Sequence, residues 1–306
     1  MHSGKSVRKK LVQALTQWQL YLLILPAVVY LLLFCYAPMY GVQIAFKDYR
    51  AGLGIWGSQW VGLKHFIAFV NYPNFKQIMM NTVRISVYSF ATFPLPVIFA
   101  LMLNEINNRH LKKTVQMITY APYFISIVVI CSMITLFLGR SSGLLNNLIE
   151  MMGGERIAFL EKPELFAPIY VWTDVWQQLG FGTIIYLAAL SGVSPELVEA
   201  ARIDGASRIR IIWHINIPAI LPTIIIMLIM RCGSILGVGF EKAFLMQNPL
   251  NLTTSQVLST YIYEIGLKSG RYSYSAAIGL FNTVINVTFM IIINKILKRV
   301  SEISLW

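Results

Sequence analysis

Charged residues are scarce in this chain, and acidic residues are the scarcest of them. Asp, Glu, Lys and Arg make up 12% of the sequence, whereas a soluble globular domain contains about 25%. Hydrophobic residues make up 57%, and the mean hydropathy is +0.64. This composition excludes an ordinary soluble domain and indicates an integral membrane protein.

The residue types that carry catalysis or hold metal ions lack the spacing that such sites need. Three cysteines all fall inside apolar runs, which argues against a disulfide framework, and four histidines are scattered. We find no zinc-ligand pair, nucleophile motif or paired catalytic carboxylates. Gly4-Lys5-Ser6 lacks the leading glycine and the preceding strand of a phosphate-binding loop. We therefore expect no metal, no cofactor bound by this chain and no catalytic activity of its own.

Long apolar runs are what the sequence has in abundance. A helix needs about 20 residues to cross the hydrocarbon core, and six runs reach about that length. They are 19–44, 82–103, 114–138, 166–190, 219–240 and 275–297. The sequence thus predicts an all-α polytopic membrane protein with six transmembrane helices. The outer segments 45–81, 139–165 and 241–274 are expected to form short helices on the membrane surface.

The basic residues set the predicted orientation, because Lys and Arg favour short cytoplasmic loops. With both termini inside, thirteen of them fall in inner segments and ten in the longer outer segments. We expect a retained basic N-terminal segment at 1–18, one transmembrane domain at 19–297 and a cytoplasmic tail at 298–306. The net charge of +12 then reflects this bias, and no nucleic-acid partner is implied.

The polar loop 194–218 lies between two of the predicted spans and has the pattern of two short helices. A serine precedes Pro195, which suits the first position of a helix running from 195 to about 203. Gly205 permits a backbone conformation that other residues resist. A second helix can therefore leave at a sharp angle near Ser207, which makes the loop a rigid cytoplasmic knob.

The spacing of residues within this knob follows a known pattern. The pattern is Glu-Ala-Ala, three residues, Gly, nine residues, Ile, one residue, a leucine-like residue and Pro. It is matched by Glu199, Ala200, Ala201, Gly205, Ile215, Ile217 and Pro218. In this respect the chain resembles the membrane subunits, or permeases, of binding-protein-dependent ABC importers. Ile203-Asp204-Gly205-Ala206, with Gly180-Phe181 upstream, is similar to the carbohydrate-uptake branch, and the similarity to complex-oligosaccharide permeases extends over nearly the whole chain.

The resemblance implies a fold, partners and a role for the knob. It implies the type I ABC importer permease fold in a bacterial cytoplasmic membrane. It also implies a second permease of different sequence, an extracytoplasmic sugar-binding protein and a dimer of ATPase subunits that binds ATP and magnesium. The knob would be the coupling helix that contacts the ATPase. The coupling residues would be Glu199, Ala200, Ala201, Asp204, Gly205, Ile215 and Pro218; the alternative is an ordinary capped loop.

Polar residues inside the apolar spans are candidates for the substrate pathway. Four residues recur on one helical face of the fourth span: Tyr170, Asp174, Gln177 and Phe181. A charge at mid-membrane costs about 2.5 to 3.5 kcal/mol on insertion scales, so this face should border a cavity or a partner.

Two arginines and four aromatic residues are further candidates. Arg231 and Arg84 each lie within a span and could bind a carboxylate, although Arg231 could instead pair with Asp174 and Arg84 could extend to the interface. The aromatic candidates are Tyr120, Tyr123, Trp172 and Trp176, which suit sugar stacking or helix packing equally. If Arg231 faces the pathway, the cargo would be an acidic, uronate-containing oligosaccharide.

Three other classes of protein remain as alternatives. An ion-gradient-driven secondary transporter would also have several spans and charges within the membrane. An ABC permease for a non-sugar cargo would share the knob. A polytopic membrane enzyme would need a metal or acid/base cluster at one interface, and no such cluster is visible in the sequence.

Overall fold

The computed structural model describes residues 18–301. The predicted basic N-terminal segment lies outside the described residues except for Trp18, and of the predicted tail only 298–301 is described.

The described chain is built from helices. They are α1 (Trp18–Tyr30), α2 (Ala37–Met39), α3 (Gly54–Gly57), α4 (Lys64–Val70), α5 (Phe75–Ala91), α6 (Pro94–Asn104), α7 (Arg109–Tyr120), α8 (Ile127–Leu138), α9 (Leu144–Met151), α10 (Phe166–Gly182), α11 (Ile184–Leu190), α12 (Pro195–Ile203), α13 (Arg208–Ile211), α14 (Ile217–Cys232), α15 (Phe240–Met246), α16 (Leu252–Ser255), α17 (Leu258–Tyr263) and α18 (Tyr272–Ser301).

Shorter irregular turns and one small ribbon link these helices. The π-helical turns are Leu31–Tyr36, Ile212–Asn216 and Glu264–Lys268, and the 3-10 turns are Tyr40–Phe46, Ala51–Leu53, Ala121–Phe124 and Pro163–Leu165. Strands β1 (Lys47–Asp48) and β2 (Gln59–Trp60) pair antiparallel, with Lys47 opposite Trp60. The ribbon is fastened by Lys47, whose Nζ donates to the carbonyl oxygen of Ile55 at 2.7 Å.

Several helical stretches have the length and hydropathy needed to cross a membrane. Four do so unaided: Trp18–Phe46, Phe75–Asn104, Arg208–Cys232 and Tyr272–Arg299. Two bent pairs give two more when each pair counts as one span: Arg109–Phe124 with Ile127–Leu138, and Pro163–Leu190 with Pro195–Ile203. The predicted all-α polytopic architecture is confirmed. The predicted count of six spans is reached when each bent pair is counted as one span.

The third predicted span, 114–138, is not continuous, so that prediction is wrong in detail. The axes of Arg109–Phe124 and Ile127–Leu138 differ by 101°. Pro122 has no N–H to continue the helical ladder. Ser126 then takes an extended conformation, and its hydroxyl accepts a hydrogen bond from the N–H of Val129 at 3.4 Å. A new helix therefore begins at this serine cap.

The fifth predicted span, 219–240, also ends early. Helix α14 stops at Cys232, and residues 233–239 are non-helical. Three of these seven residues are glycines, which favour irregular backbone. The N–H of Leu236 is hydrogen-bonded to Asn286 Oδ1 at 3.0 Å on α18, so the irregular segment is fixed to the sixth span.

The outer segment 241–274 does not lie on a surface as predicted. Ala243 and Val257 are fully buried, and α15 packs against α8 while α17 packs against α5 and α18. The chain thus folds back among the spans after the irregular segment. This return places Lys242 next to the fourth span.

Helices α7 and α10 cross at a glycine. A Cβ added at Gly180 would overlap the carbonyl oxygen of Thr119 on α7. Only glycine permits this approach, which fixes the fourth span against the bent third one. The crossing lies beside a polar cavity.

Candidate functional site

The knob at 194–218 has the two-helix structure that the sequence predicts. Helix α12 runs from Pro195 to Ile203, and Ser207 caps the following helix α13 through a 3.4 Å hydrogen bond from the N–H of Arg210. Ser194 occupies the N-cap position of α12, although its hydroxyl makes no capping hydrogen bond. Helix α12 makes an angle of 80° with the preceding helical stretch Pro163–Leu190.

The turn between the two helices depends on Gly205. Its φ is +77°, a value that residues with a Cβ rarely adopt. The N–H of Ala206 donates to the carbonyl oxygen of Ala201 at 2.9 Å, and the N–H of Gly205 donates to that of Arg202 at 3.1 Å. These two bonds form a Schellman motif, which ends α12 and fixes the direction in which the chain leaves.

The outer surface of the knob is exposed and partly apolar. No residue of α12 is buried, and Ile203 is 86% exposed. Glu199 and Asp204 are exposed and make no ion pair among residues 18–301. Exposed apolar and charged side chains on a rigid turn are suited to contact with another protein.

A polar cavity of about 560 Å³ lies beside the fourth span. Among the residues that line it are Tyr123, Tyr170, Asp174, Gln177, Arg231 and Lys242. A second cavity of about 410 Å³ adjoins it and shares Tyr123, Asp174 and Arg231, and it is also bordered by Phe181. The structure therefore brings together all four residues that were predicted on one face of the fourth span, and Tyr123 with them.

Asp174 is paired with Lys242. The Nζ of Lys242 lies 3.6 Å from Asp174 Oδ1, and it donates to the carbonyl oxygen of Tyr170 at 2.9 Å. The Lys242 side chain is 3% exposed. Burial lowers the pKa of this lysine, whose helix lies outside the candidate spans, and the carboxylate of Asp174 partly offsets that effect. The predicted alternative, a pair between Arg231 and Asp174, is not found.

Arg231 lines both cavities and has no anionic partner among the described residues. It lies in the last turn of α14, next to the irregular segment, and is exposed. The prediction placed it within the longer span 219–240. Because the helix ends one residue later, its guanidinium is carried at a helix end rather than on a continuous helical face.

Four of the predicted pathway residues do not line either cavity: Arg84, Tyr120, Trp172 and Trp176. Arg84 is exposed on α5. The indole N–H of Trp172 donates to Tyr88 Oη at 2.7 Å, and Trp176 borders a separate, wholly apolar cavity. Tyr123, by contrast, stacks on Phe181 with ring centroids 3.7 Å apart, so these rings form one aromatic wall.

Lys242 is the charged cavity residue that the sequence analysis missed. It follows the predicted end of the fifth span, so it was assigned to an outer segment. The signal that could have found it is the glycine-rich run Gly233, Gly237 and Gly239 directly before it, since glycines in an apolar run favour a break in the helix. Among residues 18–301, no group of three or more His, Cys, Asp or Glu could hold a metal ion.

Residues 92–302 match the family model of the binding-protein-dependent transport system inner membrane component. The polygalacturonan/rhamnogalacturonan transport system permease protein YteP of Bacillus subtilis is 43% identical over 97% of this chain and 94% of its own length. Protein LplB of the same organism is 41% identical over 99% and 96%.

A solved structure is similar over the whole chain. A bacterial alginate ABC transporter, determined in complex with an alginate pentasaccharide-bound periplasmic protein, contains a chain that is 37% identical. The match has a TM-score of 0.88 and covers 100% of both chains. The chain described here belongs to the family of inner membrane components of binding-protein-dependent transport systems.

Proposed function

We propose that this chain is one of two permease subunits of an ATP-driven importer for acidic, uronate-containing oligosaccharides. A periplasmic-type binding protein delivers the oligosaccharide on the outer side. A second permease completes the pathway. Two ATPase subunits bind ATP and magnesium on the inner side, and both termini of this chain are cytoplasmic.

The observation that carries the acidic cargo is the charge of the cavity. Arg231 and Lys242 contribute two positive charges and Asp174 contributes one negative charge. Lys242 is held by Asp174, which leaves Arg231 able to pair with a carboxylate of the cargo. The relatives support the same cargo class, because YteP is described for polygalacturonan and rhamnogalacturonan and the solved relative for alginate.

Neutral groups of the cavity suit the rest of a sugar. Gln177, Gln178 and several serines supply amide and hydroxyl groups for sugar hydroxyls. The stacked rings of Tyr123 and Phe181 offer an apolar face for the C–H side of a pyranose ring. The cavity therefore combines one charged group that can bind a carboxylate with neutral groups that can contact the rest of the sugar.

Coupling to ATP hydrolysis runs through the knob. A rigid element is needed, because movement of the ATPase shifts the permease between states only if the contact transmits it. The small side chains of Ala200 and Ala201 allow the partner to approach closely, and Glu199 offers a charge-assisted hydrogen bond to it. Ile203 adds an apolar contact, since the residue protrudes and is 86% exposed.

The proposal is tested by reconstituting this chain with a second permease, an ATPase and a binding protein from the same organism. ATPase activity is measured with binding protein loaded with trigalacturonate, with mannuronate trimer or with maltotriose. We expect stimulation by the acidic trimers and little by maltotriose. Stimulation by the neutral sugar alone would overturn the acidic cargo, and uptake that follows a proton or sodium gradient instead of ATP would overturn the importer.

A further inference from the structure

Lys242 is fixed to the fourth span by three contacts from one ammonium group. Its Nζ donates to the carbonyl oxygen of Tyr170 at 2.9 Å, lies 4.8 Å from the centre of the Tyr170 ring and lies 3.6 Å from Asp174 Oδ1. The lysine is almost fully buried, whereas the side chain of Asp174 is 27% exposed. Asp174 is therefore much more accessible from the cavity than Lys242 is.

The two oxygens of Asp174 are in different situations. Oδ1 faces Lys242 and also accepts a 2.8 Å hydrogen bond from Gln178 Nε2. Oδ2 has no hydrogen-bond partner within residues 18–301. Since Asp174 borders both cavities, its carboxylate is the negative group that a passing carboxylate meets.

Arg231 borders the same two cavities and makes no ion pair among the described residues. One unpaired cation and one compensated pair give the site a net charge of +1. An acidic oligosaccharide carries one carboxylate on each uronate unit. One of these can pair with Arg231, while a second would be repelled by Asp174.

We infer that Asp174, with Lys242 as its positioning residue, limits the cavity to one cargo carboxylate at a time. This inference rests on the proposed function, because it requires an acidic cargo. A transport pathway must bind its cargo firmly enough to admit it and weakly enough to release it. Asp174 supplies the weakening, since its negative charge repels a second carboxylate of the same cargo chain.

The test measures direct binding of fluorescent trigalacturonate to the assembled complex in nanodiscs without binding protein. The same trimer with its carboxyl groups reduced to alcohols serves as the matched neutral ligand. Four proteins are compared: the parent, Asp174→Asn, Lys242→Met and the double variant. Glu150→Gln is the control variant, because it removes an acid from the Glu150–Arg156 ion pair, which lies outside both cavities.

The two single variants should move acidic-trimer affinity in opposite directions. Asp174→Asn removes the charge that repels a second cargo carboxylate, so the dissociation constant should fall about fivefold, the upper range for a partly exposed charge pair. Lys242→Met leaves the negative charge of Asp174 to offset the positive charge of Arg231. The dissociation constant should therefore rise about fivefold, within the same range. The double variant keeps the net charge of +1 and should return to within about twofold of the parent. The neutral trimer and the control should show no such pattern.

The variants also separate this inference from a purely structural role. Loss of one partner leaves a buried lysine without its counter-charge, which can impair folding. If Asp174→Asn does not assemble, Lys242→Met and the double variant still decide the matter. Equal changes for the acidic and the neutral trimer, or no change in either, would overturn the inference.

The parent protein decides the proposed function independently of the variants. If the parent binds and imports no acidic oligosaccharide, the proposed function fails and this inference fails with it. If the parent imports the acidic trimer but the two single variants shift its affinity in the same direction, only the limit set by Asp174 is wrong.

Discussion

The knob and the cavity are built in different ways. The knob is formed by consecutive residues, so its proline, its serine cap and Gly205 determine it locally. The cavity takes Asp174 from α10, Arg231 from the end of α14 and Lys242 from α15. Its geometry depends on contacts between segments far apart in the chain. Local structures of the first kind are readable from sequence, whereas sites of the second kind depend on where helices break.

The largest effect should come from filling the crossing beside the cavity. Gly180→Val would drive a side chain into the backbone of Thr119, where no flexible side chain can give way. We expect loss of assembly, because overpacking of even one methylene costs about 1–3 kcal/mol and here the obstacle is backbone. The yield and thermal unfolding of the purified complex are the measurements.

Gly279→Ala is the matched control for that variant. A Cβ added at Gly279 meets no atom within 4 Å, so the complex should assemble normally. If Gly180→Val assembles as well as this control, the crossing does not hold the cavity together.

The next effect concerns the knob, where the obstacle is conformational and not steric. A Cβ at Gly205 has open space around it, but φ is +77°. Gly205→Val should lower stimulated ATPase activity and uptake by about thirtyfold, since backbone strain of this kind costs about 1–3 kcal/mol and the middle of that range corresponds to about thirtyfold. Membrane insertion should be unchanged.

Gly205→Asn tests whether the loss of activity in Gly205→Val comes from the backbone angle. Asparagine tolerates the left-handed region better than other residues with a Cβ, so this variant should retain most of the activity. Equal loss in the two variants would mean that the glycine is needed for close contact with the partner and not for its backbone angle.

Removal of the cavity arginine should have a smaller effect, and only on charged cargo. Arg231→Gln should reduce uptake of trigalacturonate about fivefold, because it removes one partly exposed charge pair between the protein and a carboxylate of the cargo. Arg84→Gln removes the same charge from a residue that lines neither cavity and should leave uptake unchanged. Equal reduction by both variants would point to a general effect of charge within the membrane.

The smallest expected effect is loss of the serine cap in the knob. Ser207→Ala removes a long, 3.4 Å cap bond, so we expect a cost of about 0.5 kcal/mol, the lower end for helix caps. Uptake should fall by about twofold at most. Ser207→Asp preserves a capping oxygen and should match the parent, and a loss in this variant would indicate that the hydroxyl contacts the partner.

The sequence was sufficient for the knob but not for the cavity. Helix 195–203, the left-handed glycine and the start of a second helix near Ser207 follow from residues within a few positions of each other. The apolar runs also predict the spans. Their breaks were missed, because hydropathy alone was weighed and not the punctuating residues, Pro122 and Ser126 in the third run and Gly233, Gly237 and Gly239 in the fifth.

The missed breaks explain the missed partner of Asp174. With the fifth helix extended to residue 240, Lys242 falls outside the membrane, and Arg231 is the natural counter-charge. The early end at Cys232 lets α15 fold back and bring Lys242 to Asp174. Pairings of this kind depend on tertiary packing over 68 positions of chain, from Asp174 to Lys242, and no local pattern specifies them.

The most direct test of the account is uptake of trigalacturonate into proteoliposomes that contain the complete complex, with parent, Gly205→Val and Gly205→Asn compared side by side. The account predicts uptake that requires ATP and loaded binding protein, is lost in Gly205→Val and persists in Gly205→Asn. Uptake that continues without ATP, or that Gly205→Val leaves intact, would contradict it.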